Sequence, residues 1–174
     1  MKRIYRLFML VAIAGLLTVS CDFDLLDVID INFQTSHSAE FTVPPTDSGN
    51  YVQVSTTLAS DIEQEIEDNK GSIDKLESIV VESISIVIDS GVVNFNAFKS
   101  AEIKFSTNDL SEIKVIWIDS IPMNATVIYP EHTSDNLKDY LNSDEYTLTF
   151  KAVLRKDLME TTILKAVVDY KVQL

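Results

Sequence analysis

Residues 77–89, ESIVVESISIVID, are the part of the chain least able to form anything but a strand. Val80, Ile84, Ile86 and Ile88 recur with period two, the spacing that places alternate side chains on one face of a pleated strand. The stretch is rich in β-branched residues, whose stiff χ1 disfavours helix. The same alternation closes the chain. EYTLTFKAVL (145–154) sets Tyr146, Leu148, Phe150, Ala152 and Leu154 on one side, and TILKAVVDYKV (162–172) does the same with Leu164, Ala166, Val168, Tyr170 and Val172. With only the short connection RKDLMETT between them, these two strands are expected to form a hairpin.

Shorter runs fill the rest. Ile29, Ile31 and Phe33 alternate with Asp30, Asn32 and Gln34, and a second run, Ala39 to Val43, stops at Pro44-Pro45. The turn cluster PPTDSGN then leads into a strand over 51–58, with Val52, Val54 and Leu58 on one face, as a hairpin-like unit. AEIKFST, IKVIWID and ATVIY supply further strands. Two short helices interrupt them. Ser60 stands three residues before Glu63, the spacing of a reciprocal cap; Ile62 and Ile66 share a face, and Gly71 is the expected stop. TSDNLKDYLNS gives a turn or two of helix over 134–141, with Leu137 and Leu141 one turn apart. The fold class that follows is mainly β: a two-layer antiparallel β-sandwich, immunoglobulin- or fibronectin-like, with one or two short helices in connections. The Cys-Trp-Cys framework of true immunoglobulin domains is absent, so that likeness is one of architecture.

The amino terminus follows another logic. Lys2, Arg3 and Arg6 precede an unbroken apolar stretch from Leu7 to Leu17 and a small-residue exit, Thr18-Val19-Ser20, before Cys21, the only cysteine. This is the three-part pattern of a secretory signal, and the apolar run is shorter than the roughly 20 residues of a membrane span. LTVSC resembles the lipobox of bacterial lipoproteins, in the relaxed form of the Bacteroidota. The resemblance implies that Cys21 is lipidated and becomes the new amino terminus, which also accounts for a lone thiol in an exported chain. Asp22, Asp24, Asp27 and Asp30 follow. An acidic stretch directly after the cysteine is similar to the Bacteroidota signal for the outer face of the outer membrane, with Asp22 and Asp24 its key residues; in enterobacteria an aspartate there instead retains the protein at the inner membrane. The organisation read from the sequence is a signal peptide over 1–20, an acidic tether over 21–28 and a single sandwich domain over 29–174.

Charge narrows the partners. Residues 1–20 contain three basic and no acidic residues, so the remaining chain carries 11 basic against 27 acidic residues, a net charge of −16. Such a surface repels phosphate backbones and anionic headgroups, which excludes nucleic acid and leaves the N-terminal lipid as the route to the membrane. Four glycines and four prolines make neither a linker nor a low-complexity chain.

Residues that carry chemistry are sparse. His37 and His132 read as loop residues in no zinc-type spacing, the aspartates after Cys21 lack the glycine and terminal glutamate of a calcium loop, and no Gly-x-Ser-x-Gly turn is present. No catalytic, metal or cofactor site is therefore expected. Trp117, in VIWI, is expected inside, with apolar neighbours on both sides. Phe95 and Phe98, flanking asparagines in GVVNFNAF, are the ligand-contact candidates. Asp119-Ser120-Ile121 resembles the O-glycosylation motif of exported Bacteroidota proteins, with Ser120 as acceptor. The leading reading is a non-catalytic, membrane-anchored lipoprotein, facing the cell surface, whose sandwich binds a glycan or a protein. A fimbrial or assembly subunit that donates its C-terminal strand is the alternative, and a membrane barrel a third, opposed by the helix-capping segment and the lipobox.

Overall fold

The computed structural model describes residues 31–174. The signal peptide, the acidic tether, Cys21, Asp22 and Asp24 lie outside the described residues. The strands are β1 (Asn32–Val43), β2 (Tyr51–Ala59), β3 (Ser78–Ser90), β4 (Phe98–Ser106), β5 (Ile113–Ile118), β6 (Val127–Ile128), β7 (Glu131–His132), β8 (Glu145–Leu154) and β9 (Thr162–Gln173), with helices α1 (Ile62–Asp68) and α2 (Lys138–Leu141). They form a two-layer antiparallel β-sandwich: a four-stranded sheet ordered β1-β9-β3-β6 and a five-stranded sheet ordered β2-β8-β4-β5-β7.

The alternating positions of β8 and β9 all face the core, where Phe41, Phe105, Phe150, Tyr146 and Tyr170 are buried between the sheets. An apolar interior between two sheets is the reverse of a membrane barrel's polar lumen. In β3 the inward residues are Ile79 and Val81, then Ile84 and Ile86. A register shift between Val81 and Ser83 leaves Glu82 as an extra residue, so Val80 points outward.

The strand order differs from the ABED and CFG sheets of an immunoglobulin domain. Sequence neighbours β1 and β2, β9 and β8, β3 and β4, and β6 and β5 hold the same rank in the two sheets, so the chain passes between layers at most connections. That double wrap is the pattern of a jelly roll. Two expected hairpins are thereby corrected. β1 and β2 lie in different sheets, and so do β8 and β9. Pro44 and Pro45 carry no amide to continue a ladder, and the two corners are stitched to each other instead, Thr46 N to Leu158 O at 3.0 Å and Leu158 N to Thr46 O at 2.9 Å, with Leu158 buried. Arg155 anchors the second corner through Nε to Phe98 O at 2.9 Å and through Nη2 to Ile121 O.

β9 is central, paired along its length with β1 on one side and β3 on the other. The end of the described chain closes on its start, Leu174 N donating to Ile31 O at 3.0 Å.

α1 closes the gap between the edge strands, with Ile62 and Ile66 buried. Its cap is the expected one in part. Ser60 Oγ accepts from Ile62 N at 3.5 Å and donates to Leu141 O, tying the helix start to α2, without a reciprocal bond from Glu63 among the described residues. At the other end Gly71 N bonds Ile66 O at 2.9 Å and Lys70 N bonds Glu67 O at 2.8 Å, the paired bonds of a Schellman motif. Lys70, not Gly71, takes the left-handed position, with φ 63°. Space is tight at the glycine: a Cβ on Gly71 would displace the Leu174 side chain, with Cδ1 at 2.1 Å, and crowd Ile66 O at 3.2 Å. α2 is shorter than the sequence suggests. Asn136 starts it, accepting from Lys138 N and Ile79 N, both at 3.0 Å, and donating to Glu77 O at 2.9 Å.

Candidate functional site

The outer face of the five-stranded sheet is built by register. Gln53, Lys151, Glu102, Trp117 and Glu131 stand opposite one another across β2, β8, β4, β5 and β7. Trp117 belongs to this row because of a bulge. Ile103 pairs with Ile116 and Lys104 with Lys114, so Val115 is an extra residue in β5; it and Ile116 are both buried, and the alternation resumes one step out of phase. The expectation that Trp117 packs into the core is corrected: it is half-buried on the outer face, its Nε1 donating to Glu131 Oε2 at 3.0 Å and Lys114 Nζ 4.9 Å from its ring centroid.

A groove of about 330 Å³ runs from this indole past Ser100, Glu102 and Lys151 to Val153 and Tyr51. Tyr51 is 72% exposed at the far side. Three inter-strand steps separate β5 from β2, and Tyr51 stands two residues along β2 from Gln53 in the Trp117 row, which sets the two backbone positions about 16 Å apart. The lining is mixed, with Ala101, Ala152 and Val153 beside the charged Glu102, Asp119, Lys114 and Lys151. Next to the groove, Lys104 and Lys151 reach Glu112 Oε2 at 3.0 and 3.5 Å, and Lys104 lies 3.7 Å from Glu102 Oε1. The hydrogen bond from Lys104 holds the Glu112 carboxyl below its usual range, and its counterpart raises the Lys104 ammonium, so both remain charged at neutral pH. Aromatic faces at both ends of a groove lined by ammonium, carboxylate and hydroxyl groups suit a ligand that is apolar on one side and rich in hydroxyls at its edges.

A second cluster lies at the edge of the sandwich. His37 is not in a loop; it occupies β1, on the alternating set that faces the other sheet. Its side chain is 10% exposed. Nδ1 is 2.9 Å from Tyr146 Oη, on β8 of the opposite sheet, and the ring packs edge-on against Tyr170, centroids 5.2 Å apart. Nε2 turns outward, 3.2 Å from Asp61 Oδ1 and 3.4 Å from Glu65 Oε1, residues that precede and lie within α1. Thr35 Oγ1 donates to Glu65, fixing that carboxylate. Burial pushes both tyrosine phenols well up, with the Asp61 and Glu65 charges adding to the effect at Tyr146. Tyr146 therefore keeps its proton at neutral pH.

The other sequence candidates fall elsewhere. Phe95 and Phe98 are buried, their rings in edge contact at 5.7 Å; the loop tucks its aromatics into the core, and neither is available to a ligand at the surface. Ser120 is exposed just after β5. His132 lies in β7, its Nδ1 3.1 Å from Thr133 O. Nothing in the sequence foretold the Trp117 groove beyond aromatic residues at separate strands, or the His37 cluster beyond a lone histidine.

No protein-family model matches the chain, and no curated protein does. Among solved structures, a chain from Desmodium yellow mottle tymovirus is similar with a TM-score of 0.27 and 6% identity, over 84% of this chain and 90% of that one, a level at which likeness implies neither shared fold nor shared function.

Proposed function

We propose that the chain is a lipid-anchored envelope protein, exported through its signal peptide, held at the outer membrane by Cys21 and directed to the cell surface by Asp22 and Asp24, whose sandwich binds a glycan without catalysis. The observation that carries the binding reading is the display of Trp117 on an outer sheet face, in a groove that ends at Tyr51. A tryptophan that could be buried by the omission of one bulge residue is instead turned toward solvent. Stacking of a sugar's C–H face on such a ring, with Glu102, Lys151 and Ser100 within the groove to meet hydroxyls, is a familiar division of labour between apolar platform and polar specificity. The surrounding acidic charge favours neutral or amino sugars over sulfated or uronic ones.

Binding of the full-length protein to an array of neutral and anionic glycans tests this directly. Trp117→Ala is expected to weaken retention at least tenfold and Tyr51→Ala by less, with melting temperatures preserved. Binding that ignores both substitutions, or no glycan retained at all, overturns the reading. Protease treatment of intact cells addresses location separately: the domain should be lost while a periplasmic control survives, and Cys21→Ala should release it from the membrane fraction. No comparable observation favours strand donation, because β9 already has a partner on each side.

A further inference from the structure

We infer that His37, Asp61 and Glu65 form a binding site for a divalent transition metal of the zinc type, placed where α1 closes the edge of the sandwich.

Three observations converge on it. First, one ligand atom from each residue lies within 4.8 Å of the other two, and the His37 Nε2 distances of 3.2 Å to Asp61 and 3.4 Å to Glu65 are those of neighbouring corners around one ion. A tetrahedral ion with ligands at about 2.0–2.1 Å places them about 3.3 Å from one another. Second, the imidazole is already oriented as a ligand. It is largely buried and held against Tyr170, and its inner nitrogen faces the Tyr146 hydroxyl, whose oxygen can accept a hydrogen bond from Nδ1–H and leave the Nε2 lone pair facing the carboxylates. Third, a cavity of about 300 Å³, lined by His37, Asp61, Ser36, Ser38, Ala59 and Tyr146, opens beside the cluster, giving an ion an entry path and room for a water. The donor set selects among ions. One imidazole nitrogen with two carboxylates is poorly matched to calcium, which takes six to eight oxygens, and well matched to zinc.

The ligands come from β1 and from the segment running into α1, so a bound ion would pin the helix to the edge strand. The site is remote from the Trp117 groove in chemistry and sheet face, and it does not depend on glycan binding.

Zinc alone is the probe, titrated calorimetrically into the full-length protein freed of metal by chelation. One ion per chain is expected, with a rise in melting temperature on saturation. Asp61→Asn and Glu65→Gln should each weaken binding at least tenfold. Asp61 is 65% exposed, so its substitution should leave the metal-free melting curve unchanged and separates lost ligation from lost folding. Tyr146→Phe, which keeps the buried ring, should weaken binding roughly ten- to a hundredfold through the freed imidazole. Trp117→Ala should have no effect. Absence of stoichiometric binding overturns the proposal. So does binding that survives in Asp61→Asn and Glu65→Gln, which would put the ion elsewhere in the chain, or calcium binding as tight as zinc, which would mark a general acidic surface.

Discussion

The indole Nε1 of Trp117 donates to Glu131 Oε2 at 3.0 Å, between residues that stand directly opposite in the β5–β7 ladder. The bond orients the ring on an otherwise open surface. As Trp117 is the only tryptophan, its fluorescence reports on this residue alone. Glu131→Ala should raise its acrylamide quenching, while Glu131→Gln, which keeps an acceptor, should not. Stability should change by no more than about 0.5 kcal/mol, as expected of a surface contact. Equal quenching in all three proteins would mean that the hydrogen bond does not hold the ring.

Lys70 ends α1 in the left-handed region at φ 63°, a conformation that costs a residue with a Cβ about 1–2 kcal/mol. Lys70→Gly removes that cost and adds back some unfolded-chain entropy, for a net gain of about 0.5–1 kcal/mol. Urea denaturation should show the midpoint moving up. Lys70→Ala, which keeps the Cβ, should leave it in place.

Gly91 presents the opposite case. Its φ is 94°, and an added Cβ would lie 2.6 Å from Thr161 O and 2.8 Å from Thr162 Cα, both backbone atoms that cannot swing aside. Backbone strain and overlap together predict that Gly91→Ala destabilises by about 2–4 kcal/mol. Thermal unfolding of this variant should begin well below that of the parent, and a melting temperature within a degree of it would refute the packing described at the β8–β9 corner.

Asp169 gives stability a dependence on acid. On the outer face of the four-stranded sheet it accepts from Ser36 on β1 and Ser83 on β3, joining three strands. Those hydroxyls hold its carboxyl below the ordinary value of 3.8. A carboxylate depressed in the folded state contributes fully above that value and loses its contribution as pH falls through the lower folded one. Asp169→Asn should therefore cost about 1 kcal/mol at neutral pH, after allowance for solvent at a partly exposed site. The gap to the parent should shrink below about pH 4 in unfolding curves measured across the acid range.

What the sequence discloses and what it withholds divide along physical lines. Alternation identifies the inward face of a regular strand, so Tyr146 through Leu154 and Leu164 through Val172 were readable residue by residue. It carries no information on which strand pairs with which. The β1–β2 and β8–β9 steps, hairpins by spacing, become corners because the chain turns across the layers there. Alternation also misleads past a bulge, which is why Val80 and Trp117 lie on the opposite face from the one a strict period assigns. His37 reads as a loop residue because QTSHSAE offers few apolar residues to mark a strand, and its place in a cluster is hidden because its partner Tyr146 is 109 residues away. The amphipathic pattern of α1 predicted a helix, but not that its acidic side would meet that histidine.

Ile31 and Leu174 are joined by a backbone hydrogen bond, so both ends of the sandwich leave from one corner. A linker of a few residues would therefore close residues 31–174 into a ring with little cost in chain entropy. The ring could be reopened in the β4–β5 loop at the exposed pair Asn108–Asp109, giving a permuted chain that keeps every ladder except its hairpin connection. Such a permutant would move both chain ends to the opposite sheet, so that anything fused to them would approach the other face of the molecule.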